Sequence, residues 1–177
     1  MKKRKKMVTD HDLTKEEVQE IIEREADGKA RDTVMLTEIL ISQVGKEKTK
    51  ELVKKVRTDY FHNLGREAAE KLGNPPDLDS FAEAFLSWMK TIKWVPLPDT
   101  IERTPKRLVL RATNYCPGTA LVKAAAGDEG LLEVFGESYC IHDIAFAEGF
   151  NPRIKTRINK TYFRGDDYCE IVWELQD

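Results

Sequence analysis

The last two dozen residues leave this chain the fewest choices. Cys169, Ile171, Trp173 and Leu175 alternate with Glu170, Val172 and Glu174, a period of two that suits a strand with one buried face. Before them Ile154, Thr156, Ile158 and Tyr162 lean toward the same alternation, and Arg164-Gly165-Asp166-Asp167 supplies a turn. The tail is thus predicted to close as a β-hairpin.

The first half carries the other period. Thr14-Lys15-Glu16-Glu17 has capping-box spacing. Val18, Ile21 and Ile22 follow at helical intervals, with Asp27-Gly28 as the expected stop. Thr33 to Val44 reads as a second helix, stopped by Gly45. Lys46 to Leu72 is a long amphipathic stretch closed by Gly73-Asn74-Pro75-Pro76. Ser80-Phe81-Ala82-Glu83 is another capping box, opening a helix through Phe85, Leu86 and Met89. Val95-Pro96-Leu97-Pro98 then breaks helical structure. Beyond it come a strand (Arg107–Thr113), a short helix (Gly118–Ala126) and a longer helix from Glu129 to Glu148, ended by Gly149. The pattern predicts an α+β fold, an N-terminal helical layer packed on a small antiparallel sheet with a C-terminal β-hairpin. It is read as a single domain over 13–177, mainly helical over 13–95 and mixed α/β over 107–177, behind a basic flexible tail at 1–12.

Composition narrows the function. With 177 residues and 41% of them hydrophobic, the chain can bury a core and is no disordered segment. No apolar run approaches the roughly 20 residues of a spanning helix, so no membrane partner is expected. The head Lys2-Lys3-Arg4-Lys5-Lys6 is basic, but residues 7–106 hold 16 basic against 20 acidic side chains, which argues against nucleic acid. No apolar signal core follows that head, and three cysteines are too few for a disulfide framework. The expected setting is cytoplasmic, with reduced thiols. The apolar faces of the first helices would close either a core or a homo-oligomer.

Walker, Gly-x-Ser-x-Gly, His-Glu-x-x-His and Cys-x-x-Cys motifs are absent. Three local groups remain: Asn114-Tyr115-Cys116-Pro117-Gly118, Tyr139-Cys140-Ile141-His142-Asp143, and Arg164-Gly165-Asp166-Asp167-Tyr168-Cys169. On one continuous helix Cys140 and Asp143 share a face, while His142 points elsewhere. A thiol beside a carboxylate is not activated, so the pair suits metal ligation or a carboxylate base in a polar wall. Cys140, Asp143 and Cys169 are candidate ligands for zinc or another divalent metal, although the spacing of the cysteines matches no metal signature. Cys169, on its strand face with Ile171 and Trp173, reads by pattern alone as a core cysteine. Cys116-Pro117, between strand and helix, stands where backbone and side chain can meet a ligand.

Together these three groups, with the basic strand before the last of them, resemble the L-2-amino-thiazoline-4-carboxylic acid hydrolase family. Its members show a Cys-Pro, a Cys-x-x-Asp on a helix and a closing Gly-Asp-x-x-Cys before an alternating strand. The resemblance runs from about Leu108 to Leu175; in the helical front it is limited to length and the Leu64-Gly65-Arg66 helix. It implies a small-molecule substrate, a cyclic amidine whose ring carbon is attacked by water, with the sulfur leaving. Asp143 would be the base, His142 an acid, and Arg164 the carboxylate clamp, with Asp166, Cys116 and Cys169 also at the substrate. In a variant of that chemistry Cys140 is the nucleophile. The closing Gly-x-x-x-Cys strand also resembles the 4-vinyl reductase (V4R) ligand-binding domains, which implies a non-enzymatic ligand sensor instead.

Overall fold

A computed structural model describes residues 14–74, 77–92, 96–113 and 116–177. The tail 1–12, Pro75-Pro76, Val95 and Asn114-Tyr115, which carry some of the readings above, lie outside them. Helix α1 (Lys15–Val44) begins with the expected capping box, Thr14 Oγ1 accepting from Glu17 N while Thr14 N donates to Glu17. It then runs through Asp27-Gly28, where the sequence predicts a stop. A mid-helix glycine costs only about 1 kcal/mol. Contacts on either side outweigh it: Ala30 is buried among Ala120, Leu121, Leu131 and Phe135, and Asp27 pairs with Lys123 at 3.2 Å.

Gly45, at φ 83°, turns the chain into α2 (Lys46–Lys71). Helix α3 (Leu78–Thr91) is capped by Asp77, whose carboxylate accepts from Ser80 N at 2.7 Å. The predicted cap, Ser80, therefore lies inside the first turn. Among the described residues no helix is long and apolar enough to cross a membrane.

Strands β1 (Asp99–Arg103), β2 (Arg107–Ala112), β3 (Ile154–Lys160) and β4 (Cys169–Leu175) form one antiparallel sheet in the order β1-β2-β4-β3. The terminal hairpin is present, and β4 is an inner strand. Edge strand β1 escaped the sequence reading because its side chains are mostly exposed and only Ile101 is apolar. Across β4, Trp173 faces Leu108 and Thr156, Ile171 faces Leu110 and Ile158, and Cys169 faces Ala112. This inner row meets α3 and a later helix: the Trp173 ring lies 5.5 Å from Phe81 and 5.1 Å from Phe85.

The predicted helix 129–148 is two helices, α5 (Glu129–Ser138) and α6 (Ile141–Phe150), preceded by α4 (Pro117–Ala124). The break falls at Tyr139-Cys140 because side chains take the Tyr139 carbonyl: Arg57 Nη2 donates to it at 3.0 Å and the His142 ring lies 2.7 Å away. Helices α2 and α6 then cross backbone on backbone. A Cβ at Gly65 would stand 2.1 Å from the Phe146 carbonyl oxygen, and one at Gly149 2.0 Å from that of His62. Met35, Leu36 and Ile39 of α1 and Val56 of α2 remain exposed.

Candidate functional site

Between α2, α3, α6 and the inner face of the sheet lies a cavity of about 230 Å³. Helix α2 contributes Arg57, Tyr60 and Phe61, and α3 contributes Trp88. Cys116 and Pro117 come from the start of α4, and Tyr139, Cys140, His142 and Asp143 from the α5–α6 junction. Ile158, Lys160, Thr161, Cys169 and Ile171 complete it from the hairpin. Tyr60, still 61% exposed, and Ile92 stand at its mouth.

Five of the seven residues picked from the sequence thus meet in one place: Cys116, Cys140, His142, Asp143 and Cys169. The break at Tyr139-Cys140 is what brings His142 to the cavity together with Cys140 and Asp143, because the three do not belong to one regular helix face. Arg164 and Asp166 are not part of the cavity wall. The Arg164 guanidinium is exposed and donates to the carbonyls of Ile158 and Asn159, while Asp166 accepts from Thr161 N at 2.8 Å. Their observed contacts fasten the turn that presents Thr161. Among the described residues no group of three or more His, Cys, Asp or Glu donors is placed to hold a metal ion, so the zinc set Cys140, Asp143 and Cys169 does not assemble.

The titratable groups are shaped mainly by burial. His142 Nδ1 lies 2.7 Å from the Tyr139 carbonyl, a contact that requires the proton on Nδ1 and leaves Nε2 as a lone pair. That lone pair is 3.2 Å from Asp143 Oδ1. The contact is not an ion pair. Burial, reinforced by Arg57, pushes His142 down to about 3, and burial, followed by the Cys169 sulfur, raises Asp143 well above the usual carboxylate range. Burial thus favours the neutral form of both, and Asp143 Oδ1, buried and otherwise without a partner, can be satisfied only as an acid donating to Nε2.

The three thiols differ. Thr161 Oγ1 sits 3.7 Å from Cys140 Sγ and 3.9 Å from Cys169 Sγ, so one hydroxyl joins two sulfurs. Burial, and then the nearby Asp143, push Cys140 up to about 12. Cys169 is brought down to about 7 by the Cys116 thiol hydrogen bond, then by the Tyr162 amide and Thr161 hydroxyl, against its own burial. Cys116, as the donor, is raised well above the ordinary thiol value. Iodoacetamide at pH 7.5 should therefore label Cys169 first, and peptide mapping by mass spectrometry should place Cys116 and Cys140 far behind. Equal labelling of all three would refute this ordering.

Arg57 and Thr161 were missed in the sequence. The signal for Arg57 was there: it falls four residues after Val53 and four before Phe61, a cation set into an apolar stripe. Thr161 carried none, since its position depends on the 3-10 turn Tyr162–Arg164 that follows it.

A family model described as L-2-amino-thiazoline-4-carboxylic acid hydrolase matches residues 12–173, and so takes in the helical front as well as the thiol-bearing half. No curated protein matches in sequence. Among solved structures, a trafficking protein particle complex subunit 3 from Naegleria fowleri, covalently bound to palmitic acid, is similar at TM-score 0.53 and 14% identity, over 84% of this chain and 96% of that one. The phenol-responsive sensory domain of the transcription activator PoxR, with phenol, is similar at TM-score 0.51 and 12% identity, over 82% and 74%. At such identities the likeness is one of fold.

Proposed function

The chain belongs to the L-2-amino-thiazoline-4-carboxylic acid hydrolase family, and from that membership together with the cavity we propose that it opens a cyclic amidine ring of the 2-aminothiazoline kind by adding water. The observation that carries this reading is Asp143: a carboxyl group in the cavity wall, fully buried, held toward its acid form by that burial, and with only the weakly basic His142 Nε2, 3.2 Å from Oδ1, to receive its proton among the described residues. An amidine offers that group an N–H donor and a nitrogen far more basic than the His142 imidazole. As it binds, it takes the Asp143 proton, and the new amidinium beside the carboxylate keeps Asp143 ionised.

Asp143 then accepts one proton from water while the water oxygen bonds to the amidine carbon. When the carbon–sulfur bond breaks, Asp143 returns that proton to the departing sulfur. The hydroxyl oxygen becomes the carbonyl of a carbamoyl group, and the proton it releases restores neutral Asp143. The products are a free thiol and a urea, with one water consumed. His142, held neutral with Nε2 toward Asp143, serves as an acceptor that steadies the Asp143 proton rather than as an independent acid. Cys140, protonated at neutral pH, is a poor first nucleophile and a serviceable S–H donor beside the reacting carbon.

The test is a thiol-release assay on L-2-amino-thiazoline-4-carboxylate with the full chain. One new thiol per substrate, together with carbamoyl-cysteine by mass spectrometry, is the expected result. Binding without ring opening would overturn it in favour of a second reading, a ligand sensor. The observation favouring that second reading is the apolar share of the wall: Phe61, Trp88, Ile92, Ile158 and Ile171 would enclose a largely apolar ligand.

A further inference from the structure

The more deeply buried cation of this cavity, Arg57, faces no charged carboxylate partner among the described residues. Arg57 projects from α2 between two rings, with its guanidinium carbon 4.4 Å from the Tyr139 ring centre and 5.3 Å from that of Phe61. One bond is well made, Nη2 to the Tyr139 carbonyl. The 3.5 Å approach of Nη2 to His142 Nδ1 adds nothing, because that nitrogen already spends its proton on the same carbonyl and has no lone pair to offer. Nε is buried without a partner, and the guanidinium makes no ion pair with a described carboxylate. Burying a cation costs several kcal/mol unless an anion or further acceptors compensate it. The acid that shares its wall, Asp143, makes no ion pair with it and is held toward its neutral form by burial.

Lys160 adds a second cation to the lining, although Asp167 at 3.4 Å partly answers it. Of the other groups that act on Arg57, Tyr139 gives it a carbonyl, and Cys140 is pushed up to about 12 mainly by burial, so neither supplies an anion at neutral pH. A guanidinium stacked on an aromatic ring, short of acceptors and facing a cavity walled in part by the Phe61 and Trp88 rings, suits a planar anion.

We propose that Arg57 is the residue that recognises the carboxylate of the ligand, so that the cavity selects small, flat molecules bearing one acid group. The assignment deepens the hydrolase reading and rests on it for the identity of the ring, while Arg164, outside the cavity wall, is left to the turn. Arg57 and Asp143 then divide a zwitterionic substrate between them, Arg57 taking its acid end and Asp143 its amidine end.

Binding without turnover isolates the claim. The probes are 2-aminothiazole-4-carboxylate, whose aromatic ring does not open, and its carboxamide, measured by calorimetry on the full chain. The wild type should bind the carboxylate about 10- to 100-fold more tightly than the carboxamide, the range expected for hydrogen bonds to a charged partner. Arg57→Gln should lose that preference while holding the carboxamide within about twofold, which also reports an intact cavity. Arg57→Lys should keep part of it, since it retains charge but not the fork. Equal binding of the two probes by the wild type, or a preference that survives in Arg57→Gln, overturns the assignment. So does a failure of the carboxylate to bind at all. Should Arg57→Gln not fold, the wild-type comparison and Arg57→Lys decide. The two readings fail separately: acid-selective binding with no ring opening of the thiazoline removes the hydrolase and leaves Arg57. Ring opening at equal rates for thiazoline carboxylate and carboxamide removes Arg57 and leaves the hydrolase.

Discussion

Gly149→Ala should cost the fold about 3 kcal/mol or more, near the upper end for overpacking, and lower the melting temperature by about 10 °C. Alanine at a helical position ordinarily gains up to about 1 kcal/mol over glycine, so the sign itself is the test. The reason is the crossing of α2 and α6. A methyl group at Gly149 would stand 2.0 Å from the His62 carbonyl oxygen, a fixed backbone atom that cannot rotate aside. Gly65→Ala meets the Phe146 carbonyl at 2.1 Å and should lose a similar amount. Because one outward shift of α6 relieves both clashes, the double variant should lose less than the sum of the two. Gly28→Ala is the control. Nothing lies within 4 Å of its Cβ position, and it should stabilise the chain by about 0.5–1 kcal/mol. Urea titrations of the four variants decide; a neutral Gly149→Ala would mean that the helices do not approach this closely.

Asp143→Asn should reduce ring opening by about 10²- to 10⁴-fold, the usual contribution of a general acid–base group, and change how stability responds to pH. In the wild type, His142 stays neutral in the fold down to about 3 but takes a proton in the unfolded chain below its ordinary 6.5. Its contribution is therefore lost as pH falls from about 6.5 toward 3. Asp143 acts oppositely. Its folded form holds a proton above the ordinary 3.8, which the unfolded chain has released, so its contribution is lost as pH rises from there. Between about 4 and 6 the two oppose each other: unfolding releases a proton from the aspartic acid and takes one up on the histidine. Asparagine removes one half. Stability of Asp143→Asn should then rise by up to about 1.4 kcal/mol per pH unit over that interval, relative to the wild type. The causes that depress His142 are burial and Arg57, with Asp143 not among them, so its own titration survives the change. Urea midpoints at pH 4, 5 and 6 measure it, and parallel wild-type and variant profiles would refute it.

How much of this was legible in the sequence follows from how local each signal is. The hairpin and the long second helix could be read because alternation and helical spacing are properties of neighbouring residues. Edge strand β1 could not, because Asp99-Thr100-Ile101-Glu102-Arg103 is held by pairing with β2 and has little apolar pattern of its own. The stop predicted at Asp27-Gly28 failed for a related reason, since the packing of Ala30 on α4 and the Asp27–Lys123 pair lie far away in sequence. The cavity was half visible. Cys116, Cys140, His142, Asp143 and Cys169 announce themselves as chemistry wherever they stand, whereas Arg57 looks like any cation of a charged helix until its neighbours are known.

The glycine crossing also bears on how the cavity breathes. Arg57 rides on α2, and His142 and Asp143 ride on α6. With no side chains between the two helices at Gly65 and Gly149, there is no padding to compress, and the two helices travel as one piece. The sheet that carries Cys169 is joined to them through side chains, which yield. Thermal motion should thus alter the thickness of the space while leaving the spacing of cation and acid almost constant. Such a cavity tolerates ligands of varied bulk and rejects those whose two ends are the wrong distance apart.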